Sequence, residues 1–152
     1  VLWSYWQVRD GWVWNGEGMS HNVSFDFDGT LTQGKISEFA KLLIRMGINV
    51  YVVTYRYNEL LKHKWVHNPT NDDMYSVTDS IGIKRENIIF TNFRDKYHYL
   101  NDANILFHID DCSDQLHGLF VNTEIDTVNA IKDDCIDDCI AILRSKGIEI
   151  KD

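Results

Sequence analysis

Residues 23–32 read Val23-Ser24-Phe25-Asp26-Phe27-Asp28-Gly29-Thr30-Leu31-Thr32, and the fold follows from how this stretch is read. It opens as an apolar run rich in β-forming residues, which predicts a buried strand, and closes on an Asp-Gly turn signal. Such a strand delivers two carboxylates, Asp26 and Asp28, to its carboxyl end. In an open α/β sheet, ligands bind outside that end. Two competing readings have to be weighed. Acids beside Asp-Gly are commonly solvated turn residues, and an EF-hand calcium loop also sets acids ahead of a glycine. The EF-hand, however, requires a third liganding position before its Gly and a Glu six residues after it. Asp26-Phe27-Asp28-Gly29 supplies neither.

Composition narrows the class. A chain of 152 residues is expected to form one domain able to bury a real core. Its 44% hydrophobic and 25% charged residues are ordinary for a soluble globular protein. The formal net charge of −8 argues against a broad nucleic-acid or membrane footprint. Cys112, Cys135 and Cys139 make an odd count without the density of a disulfide scaffold, so a reducing cytoplasm is the expected setting. There is neither a long apolar run of membrane-spanning length nor a basic-then-apolar signal segment, and no membrane partner is expected.

Residues 1–18 differ from the rest. They hold Trp3, Trp6, Trp12 and Trp14, four of the five tryptophans, with Tyr5, around Arg9-Asp10-Gly11. Aromatic arms on either side of Asp-Gly predict a hairpin. This segment reads as an N-terminal extension or an appended piece, and a single domain over 19–152 follows it. From Val23 onward strands and helices alternate. The pattern predicts a helix over 37–45 capped by Ser37 and stopped by Gly47, and a buried strand over 48–54. Then come a helix over 58–66, a polar connection with Pro69, and a helix opened by Asp72 or Asp73 and closed by Gly82. A third strand is expected over 87–92, a short helix over 96–100 and a fourth strand over 105–109. A brief helix over 113–117, a strand over 119–121, a helix over 133–145 and a last strand over 148–150 complete the chain. Strands separated by helices call for parallel pairing through right-handed crossovers, hence a Rossmann-like three-layer α/β sandwich with a mostly parallel sheet.

Polar signals sit at successive strand ends: Asp26 and Asp28, then Thr54, then Lys96, then Asp110 and Asp111. Parallel strands bring these ends to one edge, so the groups can converge. Here the chain resembles the haloacid dehalogenase superfamily of phosphohydrolases. Residues 25–32 match its first motif, Val52-Val53-Thr54 its second, Lys96 its third and Ile109-Asp110-Asp111 its fourth. The resemblance implies a phosphoryl-transfer site. In it Asp26 attacks phosphorus to give an aspartyl-phosphate, and Asp28 serves as acid and then base. Thr54 and Lys96 hold the transferring oxygens, and Gly29, Thr30 and Arg56 contact the substrate. A Mg2+ ion is implied on Asp26, the Asp28 carbonyl and Asp110 or Asp111, with Asp111 favoured by the family pattern. The acid at position 28 resembles phosphatases and mutases rather than dehalogenases. Between Thr32 and Thr54 there is room only for one helix and the next strand, so no large cap domain is expected.

These readings make the chain a small capless phosphatase, with nucleotides as the expected substrates. An open site of this kind takes large or flat substrates, or borrows cover from a second subunit or from the N-terminal hairpin. A nucleic-acid 3′-end phosphatase is the alternative enzyme: Arg56 after Thr54 favours it and the net charge opposes it. A non-catalytic binding module on the same fold is the alternative of another class. His63 and His67, four apart on an expected helix, have zinc-site spacing but no third ligand, and Cys135 and Cys139 read as helix packing.

Overall fold

The computed structural model describes residues 21–58, 70–100 and 104–150. Five strands, β1 (Asn22–Phe25), β2 (Asn49–Thr54), β3 (Ile88–Phe90), β4 (Ile105–Asp110) and β5 (Asp126–Asn129), form one sheet in the order β3-β2-β1-β4-β5. Every neighbouring pair is parallel. The stretch at 23–32 therefore supplies the central strand. Period-two alternation puts Val23 and Phe25 on one face and Ser24 on the other. The Phe25 ring meets Phe39 edge-on at 6.4 Å and Phe107 at 6.1 Å, which ties β1 to a helix above it and to β4 beside it.

Helices cover both faces. On one lie α1 (Gly34–Arg45), α2 (Asp72–Ile81) and α5 (Cys135–Ser145). Ile36, Phe39, Ala40 and Leu43 of α1 recur at helical spacing. They join Met74 and Ile81 of α2 and Cys135, Cys139 and Leu143 of α5 against Val23, Phe25, Val52 and Ile109. At about 1.5–3 kcal/mol for each large apolar side chain buried, this layer carries most of the stabilisation. The smaller second core sets Leu100 of α3 (Tyr97–Leu100) and Leu119 of α4 (Ser113–Asn122) on Val53 and Ile105. The result is a three-layer, Rossmann-like α/β fold. Only α1 lies between the 23–32 stretch and β2, so no cap is inserted there. Cys135 and Cys139 are core residues, as expected of helix packing. No helix among the described residues is long and apolar enough to cross a membrane.

Four expectations need correction. Ser37 does not cap α1: the helix starts at Gly34, and the Ser37 hydroxyl donates to the Gly34 carbonyl (3.0 Å) from inside it. Residues 113–121 are not a helix followed by a strand but one helix running to Asn122. Leu116 and Leu119, three apart, face the core, while Phe120 and Val121 are exposed, so the apolar run has helical rather than strand spacing. The fifth strand is instead Asp126–Asn129, where Val128 alone is buried. Finally, 148–150 form no strand: Ile148 and Ile150 pack against the core, and the Ile148 N–H bonds to the Leu143 carbonyl at the end of α5. The hairpin at 1–18, the helix at 58–66, His63, His67 and Pro69 lie outside the described residues, apart from Asn58, which is in neither a helix nor a strand.

Candidate active site

The strand order reverses at β1. The chain steps from β1 to β2 and β3, then returns to β4 on the other side of β1. In open α/β sheets the crevice outside such a switch point is where ligands bind. The Asp26 N–H donates to the Ile109 carbonyl (2.9 Å), so the ends of β1 and β4 are locked together. Asp26, Asp110 and Asp111 meet there. They border a cleft of about 380 Å3 whose lining also includes Tyr55, Lys96 and Asp114.

Lys96 anchors the acids. Only 1% exposed, it sits just ahead of α3 and sends Nζ to Asp26 Oδ1 (2.8 Å) and to Asp110 Oδ2 (2.6 Å). Its N–H donates to Gln115 Oε1 (2.9 Å), and Gln115 Nε2 donates to Asp95 Oδ1 (3.1 Å), which fixes the turn that presents the lysine. Burial alone would lower the ammonium's pKa, but the two carboxylates outweigh it and hold the pKa above its ordinary value. Asp110 is fully buried, and burial opposes its charge. His108 and Lys96 prevail, and its carboxyl is held well below the usual carboxylate range.

His108 joins this site although the motifs do not include it. Its ring is wholly buried, with Nε2 2.8 Å from Asp110 Oδ2 and Nδ1 2.7 Å from Ser24 Oγ. Burial pushes its pKa down. The ring is therefore neutral and carries its proton on Nε2, which donates to the ionised Asp110, while Nδ1 accepts from Ser24. Ser24–His108–Asp110–Lys96–Asp26 thus form one buried chain of polar contacts. It starts on β1, ends at the residue that follows it, and lies on the face covered by α3 and α4.

The remaining faces of Asp26 suit a cation. Oδ2 accepts the Thr30 hydroxyl (3.0 Å), and Oδ1 is held by Lys96. Asp111 approaches Asp26 carboxyl to carboxyl. Asp26, Asp110 and Asp111 each offer an oxygen within 4.8 Å of the others. Three carboxylates thus gather at a place where one ammonium, Lys96, is paired with two of them. Burial, opposed by Lys96 and aided by Asp110, raises Asp26 to about 7. A divalent cation would balance the two uncompensated charges, and all-oxygen donors suit a hard ion. Both oxygens of Asp110 already accept protein donors, Cys112 N–H at Oδ1 (3.0 Å) and Lys96 with His108 at Oδ2. Asp111 is the freer of the two. Gly29 is what lets it come in: at φ 78° this residue favours glycine, and a Cβ would stand 2.1 Å from Asp111 Oδ2.

Asp28 and Arg56 form a second cluster at the rim. Arg56 Nε and Nη2 grip both Asp28 oxygens (3.0 and 2.8 Å), and Nη1 and Nη2 grip Asp73 (2.7 and 2.8 Å). The guanidinium lies over the Phe27 ring at 5.1 Å. The two carboxylates, Asp73 foremost, raise its pKa. Its fork is thus filled by carboxylates. Thr54 is buried and its Oγ accepts the Arg56 N–H (3.3 Å). Thr30 is turned to Asp26 and is itself buried.

Fold and site together define a Rossmann-like α/β protein with a lysine-anchored acidic cleft at its topological switch. No family model matches the sequence, and no curated protein matches it. Ser24, His108 and Asp73 are site residues that the motifs miss. For Ser24 and His108 a signal is present: each is a polar break in an apolar strand two residues before Asp26 or Asp110, hence on the same face. Asp73 carries no such signal.

Proposed function

We propose that the protein is a magnesium-dependent phosphomonoesterase of the haloacid dehalogenase type, hydrolysing nucleotides through an aspartyl-phosphate at Asp26. The observation that carries this reading is the state of Asp26. It is a buried carboxylate at the switch point, gripped by Lys96 and Thr30, with a second carboxylate, Asp111, facing it. Asp26, Asp111 and the Asp28 carbonyl would hold the ion, with Asp110 backing Lys96. When bound, Mg2+ supplies positive charge that draws the phosphoryl group toward Asp26 and keeps that residue ionised.

The chain's own residues do the rest. An Asp26 oxygen forms a bond to phosphorus as the bond to the ester oxygen breaks. Lys96 and the Thr54 hydroxyl donate to the phosphoryl oxygens, where charge accumulates. The departing oxygen takes a proton from Asp28, and Asp28 then removes one from the water that attacks phosphorus and releases Asp26. Arg56 holds both Asp28 oxygens, which fixes where this carboxyl group stands for the two proton transfers. Cys112, Cys135 and Cys139 are all free thiols, which fits a cytoplasmic setting. The nucleic-acid alternative needs Arg56 as an anion contact, and the filled fork of Arg56 gives it no support. A panel of phosphate monoesters assayed with Mg2+ and with chelator tests the proposal. Phosphate release that needs the ion supports it, and no release from any ester contradicts it.

A further inference from the structure

Beside the cleft, where β2 and β3 end, aromatic rings form an open ledge. Tyr55 lines the cleft with Asp26 and Lys96 and is 38% exposed; Phe93 is 53% exposed. Their ring centroids are 5.6 Å apart, and Tyr57 meets Phe93 edge-on at 4.8 Å. The backbone holds Phe93 in place at a cost. Asn92 and Phe93 are consecutive left-handed residues, φ 55° and 66°, a region that bulky side chains rarely enter. Three hydrogen bonds impose this conformation. The Phe93 N–H donates to the Tyr55 carbonyl (2.8 Å), the Asn92 N–H to the Arg56 carbonyl (3.2 Å), and the Asn58 N–H to Asn92 Oδ1 (3.0 Å). Burial gives little in return, because half the Phe93 ring stays in solvent. Strain kept at the rim of a cleft, at a side chain left half in solvent, is a mark of a binding role.

We propose that Tyr55 and Phe93 form the subsite for a planar aromatic group of the substrate, the nucleobase of a nucleoside monophosphate, an inference that rests on reading the cleft as a phosphatase site. The ledge is continuous with the cleft through Tyr55, so one molecule can place its phosphate at Asp26 and its ring on Phe93. Charge limits the rest of the ligand. Asp28, Asp111 and Asp114 border the cleft, and the chain carries −8, so further phosphates are repelled. A single phosphate with a flat, uncharged ring fits both surfaces. An aryl phosphate shares this chemistry.

The test compares kcat/KM for adenosine 5′-monophosphate, ribose 5-phosphate and phenyl phosphate. The first two share a phosphorylated primary alcohol and differ in the base. The nucleotide is expected to exceed ribose 5-phosphate by about tenfold or more, within the range one stacked base supplies. Phe93→Gly suits a positive φ, and Phe93→Asn tolerates it, so both are expected to fold, which circular dichroism checks. In both the ratio is expected to fall toward one. A preference for phenyl phosphate alone, lost in the same variants, would assign the ledge to aryl esters and overturn the nucleobase. Ratios near one in an active wild type, or ratios that Phe93→Gly leaves unmoved, overturn the subsite. Absence of turnover counts against the phosphatase reading, and the ledge is then decided by calorimetric binding to Asp26→Asn. Tighter binding of the nucleotide than of ribose 5-phosphate, lost on adding Phe93→Gly, supports it, and equal binding overturns it.

Discussion

His108 Nε2 stands 2.8 Å from Asp110 Oδ2, and the opposite nitrogen of the same ring is held by Ser24. Asp110 in turn holds Lys96, and Lys96 holds Asp26. The imidazole therefore sets the carboxylate that sets the lysine. His108→Leu removes the donor but keeps the bulk, and Asp110 gains freedom to turn. Outer groups of this kind typically change metal affinity or activity by about 10–100-fold. We expect a loss of that size in kcat/KM, with His108→Asn recovering part of it and Ser24→Ala losing less than either. Equal activity in His108→Leu and wild type contradicts the positioning role.

Arg56 spans two acids that lie far apart in sequence, Asp28 and Asp73. Its planar fork cannot be copied by an ammonium. Arg56→Lys is expected to lower kcat by about tenfold or more while moving KM little, because Asp28 loses its fixed position rather than the substrate losing an anchor. Asp73 is largely exposed, so Asp73→Asn should cost less than about 1 kcal/mol in chemical denaturation. A rise in KM with kcat unchanged in Arg56→Lys would show instead that Arg56 binds substrate directly.

Gly29 is held at φ 78° with Asp111 against it. Gly29→Ala meets both constraints at once. The left-handed backbone costs an L-residue about 1–2 kcal/mol, and the new methyl displaces Asp111 from the cleft. We expect a lower Tm and, separately, a Mg2+ requirement shifted to higher concentration by about tenfold or more. An unchanged Mg2+ dependence would remove Asp111 from the metal site.

Burial raises Asp26 to about 7 from 3.8. An acid with a raised folded pKa binds its proton more tightly in the folded state, so metal-free stability falls as pH rises from 3.8 to about 7 and is flat above. Asp110 has the opposite sign. Its depressed pKa contributes stability above 3.8 that is lost as pH falls further. His108 acts the other way, because its depressed pKa removes stability as pH falls below 6.5, so the Asp26 contribution is read as a difference: from about pH 4 to 7 the metal-free Tm of wild type is expected to fall relative to that of Asp26→Asn. Mg2+ affinity should climb over the same window and then level, since the ion must displace that proton. Parallel pH profiles of Tm in Asp26→Asn and wild type contradict the assignment.

Much of this site is legible in the sequence. Asp26, Lys96, Asp110 and Asp111 stand at or just beyond strand ends, and a parallel sheet necessarily gathers those ends on one edge. Ser24 and His108 follow the same period-two logic, but a polar residue within an apolar strand does not announce its partner. The Arg56–Asp73 contact depends on where α2 packs, which no local pattern records. The 113–121 region shows the same limit for elements: a short apolar run fits helix and strand alike until tertiary burial of Leu116 and Leu119 selects one. β5 is hard to read because a strand with Val128 as its one buried residue carries almost no hydrophobic signal.

The most direct test of the central claim is a search for the phosphoryl adduct on Asp26. The wild-type protein is mixed with Mg2+ and a hydrolysed ester, quenched in acid within a turnover and analysed by peptide mass. The phosphoryl group is expected on the peptide bearing Asp26, lost on treatment with hydroxylamine, and absent from a folded Asp26→Asn protein that releases no phosphate. Phosphate release by Asp26→Asn at the wild-type rate, or an adduct on any other residue, would contradict the account.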